Sequence, residues 1–422
     1  MTGWRRLAAA GAAGGLVLAL SGCPVGDDDD RTPEPAPSAV DTGPVRPTDP
    51  STDLPAYSGP PAGGPSTAGP VARVRAAVDP TPATPGTFAR VVSAVAAPDG
   101  AAFVLLTPAD RALPQSLVTL RAEAIAGVVP VPRVEDVWGM HVLDDGSVAV
   151  TGRLADEGYG LRVVDPATGA VRTTVLLSPG EDVRASTGRS AVSTAATRLY
   201  VLLSVVTDAG VREALLAVDP ATGRVLAERD LAEDVGAVST FPVRDQLAGL
   251  LPRPAGGVTL VFDASPTEVP EDRIPTLLRY DAALDPVGAA SRATGLSEGA
   301  ETQSVTGAAD GTVFLLVAVE DGSWLLAVPD RGGAGPLLAQ LEDRVYGYAL
   351  TVEPAQVWAV LPSPVGVRAV DLTSGEAQGP VGFECYRRLD VRDLYPAGAG
   401  TLAIGECDSP RADTQFLWFL SP

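Results

Sequence analysis

Lysine and asparagine are absent from this chain of 422 residues, and histidine occurs once, at His141. A single histidine excludes any metal site built from several imidazoles, and a Ser–His–Asp or Cys–His catalytic device would have to use His141. No P-loop, no C-x-x-C and no G-x-G-x-x-G after a strand is present. We interpret His141 as a histidine on a strand, with its ring hydrogen-bonded to a neighbour or to water.

Positive charge is scarce. Arginine alone supplies the 31 basic residues against 52 acidic ones, so the net charge is −21 and the pI is about 4.4. Such a surface repels nucleic acid and anionic lipid headgroups, which excludes both as partners. It suits cations or basic proteins, and the simpler alternative is that the charge serves solubility alone. A carboxylate pair for glycoside hydrolysis stays open, because the fold decides which acids meet.

Long apolar runs are also missing after the N-terminus. Residues 7–20 form an apolar stretch that follows Arg5 and Arg6 and is too short to span a bilayer as a stable helix. The sequence Leu-Ser-Gly-Cys follows and ends at Cys23. It resembles the bacterial lipobox, which implies a signal peptide over residues 1–22 and a diacylated Cys23. The alternative is an ordinary secretory signal with a chance cysteine.

This resemblance implies that the protein is exported and anchored to the outer face of the cell membrane, with the lipid as its one membrane contact. Residues 23–70 are rich in Pro, Gly, Ser, Thr and Asp and contain few large apolar side chains. Such a segment cannot bury enough surface to offset its ordering entropy, so we predict a disordered tether. Residues 71–422 then form the folded domain.

The folded domain contains a repeat. The sequence Asp-Pro-Ala-Thr-Gly occurs at residues 165–169 and again at 219–223, each time between two apolar runs. Proline presets a turn and glycine permits positive φ, so this sequence predicts a tight connection between two antiparallel strands. Weaker copies begin at Asp281, Asp330 and Asp371, a degenerate one is centred on Arg121, and the last apolar run ends the chain.

A second marker precedes each copy. It is a turn followed by a β run, as in "PDGAAFVLL" and "ADGTVFLLV", and it also occurs seven times. Two independent markers therefore define a unit of roughly 41 to 64 residues, the length of a four-stranded propeller blade. We predict an all-β, seven-bladed β-propeller of four-stranded antiparallel blades, with six or eight blades as alternatives.

The D-x-x-T-G hairpin resembles the repeats of PQQ-like and YVTN-type (WD40-like) propellers. The resemblance is good at two blades and implies an architecture rather than an activity. In quinoprotein blades a tryptophan commonly follows the turn, and Thr173 and Ala227 occupy those positions here. The S-x-D-x-G-x-T-W box of sialidase-type propellers is absent as well. We therefore expect no PQQ, and no other organic cofactor.

Ring closure and a disulfide follow from the blade register. The seventh unit ends at its third strand, and an alternating strand at residues 71–79 is left over, so we predict that it completes the last blade.

Cys385 falls on the outer strand of blade 6 and Cys407 at the end of the second strand of blade 7. An even pair in an exported protein favours a disulfide, worth roughly 3 kcal/mol.

Acidic residues recur where each inner strand is predicted to begin, in six of the seven units. In a propeller these loops surround the channel mouth, where like charges concentrate cations or basic groups. Calcium is the metal that such oxygen ligands favour, whereas the alternative is a fully solvated rim. Tyr346, Tyr348, Tyr386, Arg387 and Arg388 are predicted near the same face. The rim residues are Glu135, Asp136, Glu181, Asp182, Glu233, Asp234, Glu298, Glu301, Glu342, Asp343, Asp390 and Asp393.

Three functions are compatible with these observations. The favoured one is a non-catalytic binding or scaffolding lipoprotein that binds a protein or a small ligand at one propeller face. The second is a propeller enzyme, either a lyase or a carboxylate-based hydrolase, with its site at the channel mouth. The third is a sensor or a structural element of the cell envelope.

Overall fold

Four-stranded antiparallel sheets repeat along the chain in the computed structural model. It describes residues 52–54, 73–80 and 89–421, except for 155–157, 180–184, 208–209, 244–245, 268–272, 294–295, 297–298, 321, 331–336, 342–349, 354–355, 363–364, 372–388, 398–399 and 409–412. The predicted signal peptide, Cys23 and most of the predicted tether lie outside these residues. No helix in the described part of the chain has the length and apolarity needed to cross a membrane.

Two strands precede the first blade, namely β1 (Thr52–Leu54) and β2 (Arg73–Val78). Blade 1 contains β3 (Ala89–Ala96), β4 (Ala102–Pro108), β5 (Gln115–Arg121) and β6 (Ala124–Val131). Blade 2 contains β7 (Val134–Val142), β8 (Val148–Leu154), β9 (Gly158–Val164) and β10 (Val171–Pro179). Blade 3 contains β11 (Ala185–Val192), β12 (Leu199–Thr207), β13 (Gly210–Asp219) and β14 (Arg224–Asp230), followed by a short helix, α1 (Ala232–Gly236).

Blade 4 contains β15 (Leu247–Pro252), β16 (Val258–Ala264), β17 (Ile274–Tyr280) and β18 (Ser291–Ala293). Blade 5 contains β19 (Glu301–Gly307), β20 (Val313–Val319), β21 (Gly322–Val328) and β22 (Leu337–Leu341). The described strands of blade 6 are β23 (Leu350–Glu353), β24 (Gln356–Pro362) and β25 (Val365–Asp371), and the outer strand predicted for this blade lies outside the described residues. Blade 7 contains β26 (Leu389–Ala397), β27 (Gly400–Asp408) and β28 (Asp413–Ser421).

The seven blades form a closed ring, so the prediction of seven is confirmed and the alternatives of six or eight are wrong. Each first strand contacts the first strand of the next blade, and β26 of blade 7 contacts β3 of blade 1. The strand predicted at residues 71–79 is β2, which pairs antiparallel with β28 and completes the last blade. Buried side chains of blades 7 and 1 share one apolar cluster, which includes Leu417, Phe419, Val104 and Leu106.

The repeated Asp-Pro-Ala-Thr-Gly sequence forms the turn between the third and fourth strands, as predicted. In blade 2, Asp165 Oδ1 accepts hydrogen bonds from the backbone N–H groups of Ala167 and Thr168, at 2.9 and 3.3 Å. Gly169 closes the turn with φ of +73° and donates its N–H to the Asp165 carbonyl. The side-chain cap and the positive φ together explain why this sequence recurs at the same place in blade 3.

The antiparallel order defines two faces of the ring. On one face, called the mouth face, the inner strands begin and the fourth strands end. On the opposite face, called the turn face, lie the Asp-Pro-Ala-Thr-Gly turns. The inner strands β3, β7, β11, β15, β19, β23 and β26 line the central channel between these faces.

One part of the predicted tether differs from a disordered coil. Residues Thr52–Leu54 form β1, which pairs in parallel with β18 and extends blade 4 to five strands. The composition of residues 23–70 gave no sign of this strand, because three extended residues carry no periodicity. The outer edge of blade 4 supplies the backbone partners that this short strand lacks by itself.

Candidate functional site

The central channel is the place where the predicted rim residues should meet. Five inner strands have an irregular register with their second strand, namely β3, β7, β15, β19 and β26. A bulge of this kind interrupts the alternation of side chains between the two faces of the strand and changes the direction in which the neighbouring side chains point. The sequence did not indicate these bulges, since they depend on how the two strands pair.

The acidic side chains of blade 2 are at the mouth, as predicted. Glu135 and Asp136 follow the first residue of β7, and Glu135 forms an ion pair with Arg153 at 3.7 Å. Asp136 is exposed and has a φ of +45°, a left-handed conformation that aspartate tolerates better than most residues. Glu301 is exposed at the start of β19, and Asp390 is the second residue of β26.

For Glu233 and Asp234 the predicted position at the start of an inner strand is wrong. Both lie in α1, well before β15 begins at Leu247. The Asp234 carboxylate accepts two hydrogen bonds from the Arg229 guanidinium and one from the Tyr280 hydroxyl. The reason is the long connection at residues 231–246, which places a helix between blades 3 and 4.

The remaining rim residues were predicted on segments outside the part of the chain that the structure describes. The predictions for them stand as predictions. These residues are Glu181, Asp182, Glu298, Glu342 and Asp343, together with Tyr346, Tyr348, Tyr386, Arg387, Arg388 and Cys385.

Asp393 lies deeper in the channel than predicted, in the middle of β26 and next to the bulge between Val391 and Asp393. Burial raises the pKa of its carboxyl group, while the charges of Arg392, Arg189 and Arg90 lower it. Arg90 belongs to β3 of blade 1 and Arg189 to β11 of blade 3. Because blades 7 and 3 lie on nearly opposite sides of the ring, the field of Arg189 reaches Asp393 across the channel.

These charges differ in whether they are already paired. Arg392 forms an ion pair with Glu406 on the neighbouring strand β27. Arg90 and Arg189 are exposed, and within the described residues neither has an ion pair. Two guanidinium groups and one partly buried carboxylate, from three different blades, thus have no ion pair within the described residues. We call Arg90, Arg189 and Asp393 the channel triad.

Tyr395 lies two residues further along β26 and packs against the apolar cluster shared by blades 7 and 1. Its hydroxyl hydrogen-bonds with the side chain of Ser93 and with the backbone of Ala94, and burial raises the pKa of the phenol. The phenol therefore stays protonated at neutral pH and serves as a neutral hydrogen-bonding group.

His141 lies near the end of β7 and is half-buried. Its Nε2 is 2.8 Å from Ser190 Oγ on β11, and Ser190 Oγ is in turn 2.7 Å from Thr151 Oγ1. Burial lowers the pKa of the imidazole to about 4. The prediction of a strand histidine bonded to a neighbour is confirmed, although the sequence gave no sign that Ser190 would be the partner.

Metal ligands do not gather in the described part of the chain, where no three His, Cys, Asp or Glu side chains are placed to hold an ion. Since five rim acids lie outside that part, the calcium prediction remains a prediction.

The chain also contains a G-x-S-x-G pattern at residues 295–299, between β18 and β19. The elements before and after this pattern in the sequence, β18 and β19, are both strands, whereas a nucleophile elbow lies between a strand and a helix.

The sequence matches no protein-family model and no curated protein. Solved structures do match the fold. The β-propeller domain of the Trilobed protease from Pyrococcus furiosus, described as having an open velcro topology, superposes with a TM-score of 0.50 at 11% identity, covering 79% of this chain and 94% of that one. Here, by contrast, β2 closes the ring.

Two further similar structures are a puromycin hydrolase and the polysaccharide lyase Uly1. The hydrolase has a TM-score of 0.55 at 17% identity, covering 82% of this chain and 54% of that one. The lyase has a TM-score of 0.50 at 6% identity, covering 80% of this chain and 90% of that one. This chain thus spans about half of the hydrolase, and at these identities the similarity establishes the propeller fold alone.

Proposed function

We propose that the protein is an exported lipoprotein, anchored to the outer face of the cell membrane through Cys23. Its propeller is a non-catalytic binding or scaffolding module that takes up a protein or a small ligand at the mouth face. The membrane contact is made by the lipid alone, and the acidic chain does not bind nucleic acid. The PQQ-like or YVTN-type repeat supplies the framework for this site.

The channel triad is the observation that carries the proposal. Charged groups that a fold uses only for stability are normally paired, since a desolvated charge without a partner is costly. Of the three groups, Asp393 is the one that burial affects; within the described residues it has no ion pair, and the charges that act on it are those of Arg392, Arg189 and Arg90. Arg90 and Arg189 are exposed and solvated, so their lack of an ion pair within the described residues costs little and leaves them accessible to a ligand. A ligand with complementary charges would supply the missing partners.

The pKa shifts of His141 and Tyr395 support binding rather than acid–base catalysis by these two groups. An effective general base at neutral pH has a pKa near 7, whereas the pKa of His141 is about 4 and the phenol of Tyr395 is shifted upward. A carboxylate pair would place a second negative charge beside Asp393, but the charges that act on it all belong to arginines.

The second candidate is a propeller enzyme, and the contact between His141 and Ser190 favours it. A serine hydroxyl 2.8 Å from an imidazole nitrogen has the spacing of a nucleophile and its base. The similarity to a hydrolase and a lyase is compatible with such an activity. We rank it second because Ser190 Oγ is also engaged by Thr151, and because so low a pKa makes His141 a weak base.

A pull-down from cell-envelope extract with the full chain tests the proposal. We expect that the Arg90→Gln, Arg189→Gln double variant loses the ligand, whereas Arg224→Gln, an exposed arginine on the turn face, retains it. If the double variant binds as well as the wild type, the channel triad is not the binding site. Turnover of a captured ligand that Ser190→Ala and His141→Gln abolish would establish the enzyme instead.

A further inference from the structure

The channel triad carries a surplus of positive charge. Arg392 is paired with Glu406, so the guanidinium groups of Arg90 and Arg189 remain against the single carboxyl group of Asp393. The chain as a whole has 31 basic and 52 acidic residues, so a local surplus of arginine runs against its composition. The triad has one positive charge in excess when Asp393 is ionised, and two when it is protonated.

The two arginines come from different sides of the ring. Arg90 is on β3, which contacts β26 directly, and Arg189 is on β11 of blade 3, nearly opposite. The charges of both act on the Asp393 carboxyl group. The Tyr395 hydroxyl bonds the Ser93 side chain and so ties β26 to β3 two residues beyond Asp393. An ion bound between the two guanidinium groups would therefore also feel the charge of Asp393.

The triad extends deeper into the channel than the acidic rim. Arg189 and Asp393 are the fifth residues of β11 and β26, whereas Glu301 is the first residue of β19. With about 3.3 Å of rise per residue, a fifth residue lies on the order of 10 Å from the beginning of its strand. The rim acids Glu301 and Asp136 are exposed. Since the Debye length is about 8 Å at physiological ionic strength, salt screens much of their repulsion of an anion at this depth.

The chemistry of the triad suits a carboxylate. A guanidinium group binds a planar oxyanion through two parallel hydrogen bonds and keeps its charge at every physiological pH. The burial that affects Asp393 shows that water is partly excluded there, and an ion pair is stronger where water is excluded. One excess positive charge compensates one negative charge. A dianion such as phosphate would leave an uncompensated charge beside the Asp393 carboxylate.

From these observations we infer that the channel triad binds the carboxylate group of a small organic molecule with a single negative charge. Arg90 and Arg189 donate hydrogen bonds to this carboxylate, and the charge of Asp393 disfavours ligands with two negative charges. The depth of the site favours a small molecule over the surface of a folded protein. The inference rests on the proposed function and specifies the ligand class of the same site.

Calorimetric titration of the full chain with benzoate, and with neutral benzamide of nearly the same shape, tests the inference. We expect benzoate to bind about tenfold more tightly than benzamide at pH 7, because its hydrogen bonds with the guanidinium groups are charge-assisted. Arg90→Gln and Arg189→Gln should each weaken the binding of benzoate by about fivefold and leave that of benzamide unchanged. Arg224→Gln removes the same charge from an exposed position on the turn face and should bind benzoate like the wild type.

Asp393→Asn distinguishes an anionic from a cationic ligand by the sign of its effect. The variant keeps the shape of the side chain and removes the negative charge that repels a bound carboxylate. We expect it to bind benzoate about threefold more tightly than the wild type. A ligand held by Asp393 through an ammonium group would instead bind more weakly to the variant.

Three results would overturn the inference: equal binding of benzoate and benzamide, weaker binding of benzoate by Asp393→Asn, or tighter binding of inorganic phosphate or benzylammonium than of benzoate. The pull-down separates such a failure from a failure of the proposed function. A captured ligand that the Arg90→Gln, Arg189→Gln double variant loses keeps the channel site and makes the carboxylate class alone wrong. A double variant that retains both the captured ligand and benzoate would contradict both proposals.

Discussion

At the scale of single residues, two buried titratable groups have opposite effects on stability. Asp263 on β16 is 4% exposed and bonds the Thr302 backbone and hydroxyl of blade 5, and burial raises its pKa from 3.8 to about 6. Burial lowers the pKa of His141 from 6.5 to about 4. The folded state therefore binds the Asp263 proton more tightly than the unfolded state, and the His141 proton less tightly.

The pH dependence of unfolding follows from these signs. Asp263 contributes stability that is lost as pH rises from about 4 to 6, by at most about 3 kcal/mol. His141 contributes stability that is lost as pH falls from about 6.5 to 4, by less, because water in the channel reaches part of its ring. Relative to the wild type, we expect the free energy of unfolding of the Asp263→Asn variant to increase as pH rises. That of the His141→Gln variant should increase, relative to the wild type, as pH falls. Urea unfolding between pH 4 and 7 measures both, and parallel profiles for all three proteins would contradict the prediction.

A glycine next to the channel tests the packing at the same scale. A Cβ at Gly188 would lie 2.4 Å from Cε3 of Trp138, whose ring stacks on Tyr159 at a centroid distance of 5.5 Å. We expect Gly188→Ala to lower the free energy of unfolding by about 1–3 kcal/mol, since the stacked ring has to move. Gly127→Ala on the outer strand β6 meets nothing within 4 Å and is the control. Equal denaturation midpoints for the two variants would show that the Trp138 ring moves aside without a loss of stability, which would contradict the prediction.

At the scale of elements, the closing strand can be tested by truncation. β2 pairs with β28, and Val78 packs against the apolar cluster shared by blades 7 and 1. A chain that begins at residue 71 retains β2, whereas one that begins at residue 80 lacks it. We expect the shorter chain to lose roughly 3 kcal/mol of stability, from the lost ladder bonds and the exposed apolar surface. Thermal melts compare the two, and identical midpoints would mean that the ring closes without β2.

The predicted disulfide belongs to the same scale. Cys407 lies near the end of β27 opposite Leu389, and Cys385 precedes Leu389 by four residues. Four residues span at most about 14 Å, so the chain can bring the two Cα atoms within the distance that a disulfide needs. We expect both cysteines to be oxidised in the exported protein and Cys407→Ser to cost about 3 kcal/mol. Alkylation without reductant checks this, and free thiols on both residues would refute it.

At the scale of the whole molecule, the anchor decides where the propeller works. Cys23 is the residue that the lipobox resemblance marks for acylation. We expect Cys23→Ala to move the protein from the membrane fraction to the soluble fraction, because the acyl chains supply the membrane affinity. Fractionation with a salt wash measures this, and Cys407→Ser serves as a control for the loss of a cysteine. A Cys23→Ala protein that stays on the membrane would show that another part of the chain holds it there.

The fold was readable from the sequence because its determinants are local. The Asp-Pro-Ala-Thr-Gly turns at Asp165 and Asp219 combine a side-chain cap with a glycine at positive φ, so five adjacent residues fix each hairpin. Seven copies of two such markers gave the number of blades, and the missing fourth strand of the last unit predicted closure by residues 71–79. None of these steps needed contacts distant in sequence.

The candidate sites were decided by the tertiary structure. Asp393, Arg90 and Arg189 belong to blades 7, 1 and 3, and their meeting depends on ring closure and on a bulge in β26. His141 and Ser190 are brought together by the packing of blade 2 against blade 3. The acidic pair Glu233–Asp234 looked like part of the rim, but the length of its connection made it a helix between blades 3 and 4. Interactions between residues close together in the sequence thus determined the strands and turns. The sites depend on contacts between residues far apart in the sequence, and no short segment of the sequence reveals those contacts.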